Sequence, residues 1–126
     1  MARVDGFEDL IAWQKARFLT RRVYEVSREG TLARDFGLGS QMQRASVSIM
    51  ANIAEGSGRG SDQDYRRFFL LSRGSLNETR HWLRRAYKRK LLTEVQVGQL
   101  TPIIEKLTPK LNAYLGAIGN YKKKPA

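Results

Sequence analysis

SDQDYRRFFLLSRGSLNETRHWLRRAYKRK, residues 61–90, decides the fold. Ser61 followed by Asp64 has the spacing of a helix-opening capping box, and Asp62 adds negative charge near the positive end of the helix dipole. Beyond this start, Tyr65, Phe69, Ser72, Leu76, Thr79, Leu83 and Ala86 recur at three- and four-residue steps, which places them on one stripe of an α-helix. At ~1.5 Å per residue the helix is about 45 Å long. Gly74 interrupts it at a cost of about 1 kcal/mol, and its missing side chain implies close packing there.

Outward from this segment the same period repeats. Thr93 with Gln96 makes a second capping box, ahead of Val97, Leu100, Ile103, Ile104, Leu107, Leu111, Leu115 and Ile118. This fourth helix contains Pro102 and Pro109. Either it runs on and bends consistently, since prolines seven apart share a face, or it begins at Pro102 as a first-turn residue. On the N-terminal side, a second helix spans about residues 40–55, with Met42, Ala45, Ser46, Ile49 and Ile53 inward. Gly37 and Gly39 punctuate the loop before it, and Gly56, Gly58 and Gly60 stop it. The first helix spans about residues 9–28 and is capped by Asp9. Ala12, Ala16, Leu19, Val23 and Val26 form one apolar face, and Leu10, Trp13 and Tyr24 form another. A helix apolar on two faces is buried on both, and the second face implies another subunit. Four helices with short connections and no period-two alternation define an all-α antiparallel bundle, a single domain over residues 1–126 with a frayed Lys-rich tail from about residue 120.

Composition narrows function. The chain has 126 residues and no cysteine, which excludes a disulfide framework, a thiolate metal site and a cysteine nucleophile. A single histidine, His81, leaves no multi-histidine metal site. No apolar run approaches a membrane span and no secretory h-region is present, so a soluble cytoplasmic protein is expected, with no membrane partner. Lys plus Arg number 23 against 12 Asp plus Glu, a net charge of +11. Such an excess points to polyanionic partners. Fifteen of the basic residues are arginine, whose planar fork suits phosphate and base edges.

The densest basic cluster lies on the third helix. Arg66, Arg73, Arg80 and Arg84 fall within about 40° of one another on the helical wheel and span about 27 Å. Arg85, Lys88, Arg89 and Lys90 extend the cluster. The row is a track for nucleic-acid phosphates, or else a solvated helix face, or a set of arginines paired with acids of a neighbouring subunit. The glycine-rich stretch 56–61 lacks the lysine and the preceding strand of a phosphate-binding loop, and reads as an interhelical linker able to touch an anion. Asn52 and Glu55 are expected to form a structural polar network, with Glu55 facing Arg44 or an arginine of another helix. No catalytic set and no metal or cofactor site can be assembled. Trp13, Tyr24 and Trp82 are candidate oligomer-interface anchors.

Several of these residues together resemble a known family. Phe7-x-x-Leu10-x-x-Trp13-x-x-Ala16, the run FGLGSQMQRASVSIMANIAEGSGRGS at residues 36–61, Tyr65-Arg66-Arg67-Phe68-Phe69, and Gly74-Ser75-Leu76-Asn77-Glu78-Thr79 are similar to the four-helix-bundle proteins encoded in intervening sequences of bacterial 23S rRNA genes. The resemblance implies an up-down-up-down bundle assembling into a homopentamer. Fold relatives of that family include the basic accessory variability proteins of diversity-generating retroelements, which bind a reverse transcriptase and its RNA. The expectation is therefore a non-enzymatic, oligomeric nucleic-acid-binding protein with RNA preferred, or alternatively a scaffold for a protein partner such as a reverse transcriptase.

Overall fold

A computed structural model describes residues 10–123, with side chains through residue 117. Its helices are α1 (Ile11–Ser27), α2 (Phe36–Ser57), α3 (Asp62–Lys88) and α4 (Glu94–Lys123), with a 3-10 turn at Leu32–Arg34 between the first two. No strand occurs among the described residues.

Local chemistry sets the helix ends. Ser61 Oγ accepts the Asp64 amide at 3.1 Å, opening α3. Thr93 and Gln96 cap α4 reciprocally, each side chain accepting the other's backbone N–H, at 3.1 and 2.9 Å. The start of α2 differs from expectation. Asp35 accepts the Leu38 amide at 3.0 Å, so the helix begins four residues before Ser40 and takes in both Gly37 and Gly39. A side-chain cap satisfies an otherwise orphaned donor and outweighs the helix-weakening effect of two glycines. Gly39 is buried there, and a Cβ on it would stand 3.7 Å from Ser27 Cβ at the end of α1. α3 closes with Lys90 at φ 62°, the left-handed position usually held by glycine, while the Lys90 and Leu91 amides return to Tyr87 and Ala86 carbonyls, both at 2.9 Å.

α4 is unbroken across Pro102 and Pro109. Both rings are exposed, and so are Gly98 and Glu105, whose carbonyls lose their helical donors to the prolines, so water can satisfy them. The tail is helical to Lys123. The expected cap Asp9, the tail beyond Lys123 and the side chain of Ile118 lie outside the described residues.

Each helix packs on its two neighbours, α1 on α2, α2 on α3, α3 on α4 and α4 on α1, which closes a four-helix bundle. Residue order is opposed across the seams. Thr20 meets Ser46 while Ser27 meets Gln43, and Ser48 meets Ser75 while Asp35 meets Arg89. The core runs through Leu19, Val23, Met42, Ile49, Ile53, Leu76, Leu107 and Leu111, all fully buried. Tyr65 stacks on Phe69 at 4.6 Å, and Phe69 tilts against Tyr114 at 5.5 Å. Burial raises the Tyr114 phenol above its ordinary pKa.

Small residues bring α2 close to both neighbours. Thr20 Oγ1 reaches the Ala16 carbonyl at 2.8 Å and the Ser46 carbonyl at 3.0 Å, and buried Ser72 donates to the Ile49 carbonyl at 2.8 Å. The glycine that permits tight packing is Gly56, not Gly74. A Cβ on Gly56 would lie 2.9 Å from Phe68 Cβ and 3.3 Å from the Tyr65 carbonyl, whereas one on Gly74 would meet nothing within 4 Å. Gly74 falls on the outward side of α3, so its period alone could not tell packing from exposure. Leu10, assigned to the second face of α1, is instead the N-cap residue and sits in the core.

Candidate nucleic-acid interface

The apolar stripe of α3 faces the core, which sends the residues about a quarter-turn away to its flanks. Arg66, Arg73, Arg80 and Arg84 take the flank beside α4, and the first three are half-buried. An Arg66 Nη1–H donates to the Leu115 carbonyl at 3.3 Å, and Arg73 Nη1 donates to Asn112 Oδ1 at 3.1 Å. Arg80 uses both terminal nitrogens, one on Asn77 Oδ1 at 2.9 Å and one on Thr108 Oγ1 at 3.0 Å. The result is a ladder along the α3–α4 seam, with α4 partners falling in number as the arginines rise.

Every rung ends on a neutral acceptor. Among the described residues, no carboxylate lies within ion-pairing distance of Arg66, Arg73, Arg80, Arg84 or Arg85. The ladder keeps its full positive charge while its side chains are held. Long side chains on a helix flank cover the neighbouring helix with their stems and seek its acceptors. The other basic residues separate. Arg85 and Lys88 are exposed on the outer side. Arg89 turns to the opposite flank and pairs with Asp35 at 3.1 Å, tying the end of α3 to the carboxylate that caps α2. Lys90 occupies the left-handed turn.

Three further ion pairs are local. Glu25 pairs with Arg22, Asp64 with Arg67 at 3.7 Å, and Glu55 with Arg59 at 2.6 Å. Glu55 is exposed and its partner is four residues on, so it faces neither Arg44 nor another helix, and it is separate from Asn52. Asn52 does join a polar network: its amide donates to the Ser48 carbonyl at 2.8 Å and to Ser48 Oγ at 3.1 Å, and Ser48 meets Ser75 of α3 at 2.7 Å. Glu55 stands about 160° around the helix from buried Ile53 and so points outward, although Gly56, nearer the turn, is buried. In the glycine-rich turn, Arg59 pairs with Glu55 and lies over the Phe68 ring at 4.7 Å, so carboxylate and aromatic contacts occupy the group an anion would use.

Trp13 and Trp82 pack in part against the core, with Arg17 5.9 Å above the Trp13 ring and His81 edge-on to Trp82 at 5.0 Å. Tyr24 is half-buried beneath Arg28 at 5.3 Å. The most exposed of the large apolar side chains are others: Ile11, Phe18, Phe36, Leu71 and Val95. Ile11 and Phe18 join Pro102 and Ile103 around a cavity of about 340 Å³ between α1 and α4, rimmed by Lys15 and Lys106. Sequence reading missed this patch because the residues facing Ile11 and Phe18 belong to α4, at the other end of the chain. Among the described residues, no three His, Cys, Asp or Glu side chains cluster as metal ligands would, and no helix is long and apolar enough to cross a membrane.

A search of curated proteins returned no significant match. Among solved structures, the chain is similar to a protein of unknown function from the S23 ribosomal protein family of Bacteroides thetaiotaomicron, with 20% identity and a TM-score of 0.76 over 83% of this chain and 98% of that one. At that identity the likeness concerns the fold. Residues 8–113 match the family described as 23S rRNA-intervening sequence protein. A match over most of the chain, with four helices where the family's residues fall, settles membership: the protein belongs to the 23S rRNA-intervening sequence protein family.

Proposed function

We propose that the protein is a non-catalytic RNA-binding bundle of up-down-up-down topology that works in the cytoplasm as a homo-oligomer. The observation that carries this reading is the arginine ladder, whose rungs are fixed on neutral acceptors and keep their charge. Phosphates along one strand are the complement of a straight row of guanidinium groups, and such contacts supply affinity without reading sequence. Exposed Arg84, Arg85 and Lys88 broaden the track outward. The family description, which ties these proteins to 23S rRNA genes, and the net charge of +11 support RNA as the polyanion.

Self-association is supported by the apolar residues left outside the core, and the family resemblance favours a pentamer. Trp13, Tyr24 and Trp82 are the proposed anchors, and Phe18, which lines a cavity with Trp13, adds exposed apolar surface. The same exposed apolar side chains favour a second reading, a scaffold that docks a protein such as a reverse transcriptase.

Titrating RNA against the protein over a range of salt tests the first reading. Phosphate binding gives a steep linear fall of log affinity with log salt. Weak, non-saturating binding at low salt would leave the scaffold. Light scattering on the same sample tests assembly, and a monomer near 14.4 kDa would refute it.

A further inference from the structure

Between α3 and α4 the arginine ladder ends beside a cavity of about 210 Å³. That is room for several waters, and its open side admits a planar ring. Leu83 and Ile104 give it an apolar lining, and Arg84, Tyr87, Thr101 and Glu105 bring polar groups to it. Arg80, already fixed by Asn77 and Thr108, also lines it. The side chains of Glu105, Arg84 and Thr101 have no hydrogen-bond or ion-pair partner among the described residues. A carboxylate placed in the most basic region of the protein and left unpaired weakens phosphate binding unless it recognises something else.

We propose that this cavity reads one unpaired guanine in single-stranded RNA, an inference that rests on the RNA-binding reading and adds a base preference to it. Single-stranded RNA is recognised by splaying out bases, stacking them on aromatic rings and bonding their Watson–Crick edges. Tyr87, 42% exposed, supplies the ring, and Leu83 with Ile104 supplies an apolar bed. Glu105 supplies selectivity. An ionised carboxylate only accepts hydrogen bonds, through two adjacent oxygens. Guanine alone among the four bases presents two adjacent donors, N1–H and an N2 hydrogen, on that edge. Adenine and cytosine offer one donor beside a lone pair, and uracil one donor between two carbonyls, so each turns an acceptor toward the carboxylate. Arg80 and Arg84 then hold the phosphates flanking the inserted nucleotide, in line with the ladder.

The test is fluorescence anisotropy at fixed salt, using labelled uridine-rich oligoribonucleotides that differ only at one central position: guanosine, inosine or adenosine. The full-length protein should bind the guanosine form about tenfold more tightly than the adenosine form, the usual scale for a paired donor–acceptor contact. Inosine, which lacks the N2 amine, should fall between. Glu105→Gln should bring guanosine and adenosine to within about twofold of each other by weakening the guanosine form. Tyr87→Leu should weaken the guanosine form by about tenfold through lost stacking. Both side chains are exposed, and unchanged circular-dichroism melts would certify folded variants. Equal wild-type affinity for the three oligonucleotides overturns the base site while leaving RNA binding standing. So does a Glu105→Gln protein that binds all three more tightly, which would make Glu105 a mere phosphate repellent. Absence of salt-sensitive binding to any RNA overturns both readings.

Discussion

Replacing Arg66, Arg73 and Arg80 together by glutamine separates the two jobs of the ladder. In the folded protein the triple variant loses three seam contacts, to the Leu115 carbonyl, Asn112 and Thr108. Each contact is part-exposed and ends on a neutral acceptor that water can take over, so the low end of hydrogen-bond values applies, ~0.5–1 kcal/mol apiece. The sum is about 2 kcal/mol, or about 5–10 °C in Tm for a chain of this size. In RNA binding, three lost phosphate contacts should make the log–log salt slope shallower by about two units, at ~0.7 per single-strand phosphate. The assay pairs thermal melts with salt-titrated anisotropy on the same preparation. Arg85→Gln with Lys88→Gln is the control, since both side chains are exposed and no seam contact ends on them: the slope should change and the melt should not. A triple variant that melts early but keeps its salt slope would refute the reasoning, because the ladder would then be a seam between helices and nothing more.

Gly74→Ala should raise stability by ~0.5–1 kcal/mol, since its Cβ would enter open space on an exposed helix, while Gly56→Ala should lower it by ~1–3 kcal/mol against Phe68 and the Tyr65 carbonyl. Denaturant midpoints for the two variants should move in opposite directions. Lys90→Gly should stabilise by ~1 kcal/mol by relieving a left-handed backbone with a Cβ, read from the same midpoints. Glu55→Gln should shift stability by no more than ~0.5 kcal/mol, because its partner Arg59 is an exposed neighbour four residues on, and a larger loss of Tm would restore a structural role to Glu55.

The helices were legible because their chemistry is local. Ser61 and the Thr93–Gln96 pair cap the helices they were expected to cap, and the Tyr65-to-Ala86 stripe is the buried face of α3. What a single strand of sequence hides is which flank of a helix meets which neighbour. The wheel placed Arg66, Arg73, Arg80 and Arg84 beside the core stripe but carried no sign that Asn112 would receive Arg73 or Thr108 receive Arg80, 39 and 28 positions away. The same blindness affected the glycines. Gly56 and Gly74 both interrupt helical patterns, and only the approach of Phe68 separates a tight contact from an empty one. Gly37 and Gly39 read as loop punctuation by residue type alone, a reading that leaves the Asp35 cap out of account. Asp35 in fact serves two partners, the Leu38 amide and Arg89, and the second is invisible until α3 is in place.

Arginine bound to asparagine, threonine and a carbonyl oxygen is a side chain whose rotamers have been chosen before any ligand arrives. Fixing a long flexible side chain at an interface takes ~0.5–1.5 kcal/mol. At Arg73 and Arg80 the bundle meets that cost through Asn112 and Thr108, and each guanidinium has five donors, of which one or two are engaged. Among the described residues the other donors have no hydrogen-bond partner. A lysine at either position would carry equal charge but could not hold an acceptor on one edge while offering a rigid fork on the other. Exchange of these arginines for lysine should therefore slow nothing in electrostatic encounter and still shorten the life of the complex, a loss in residence time that counting charges would never anticipate.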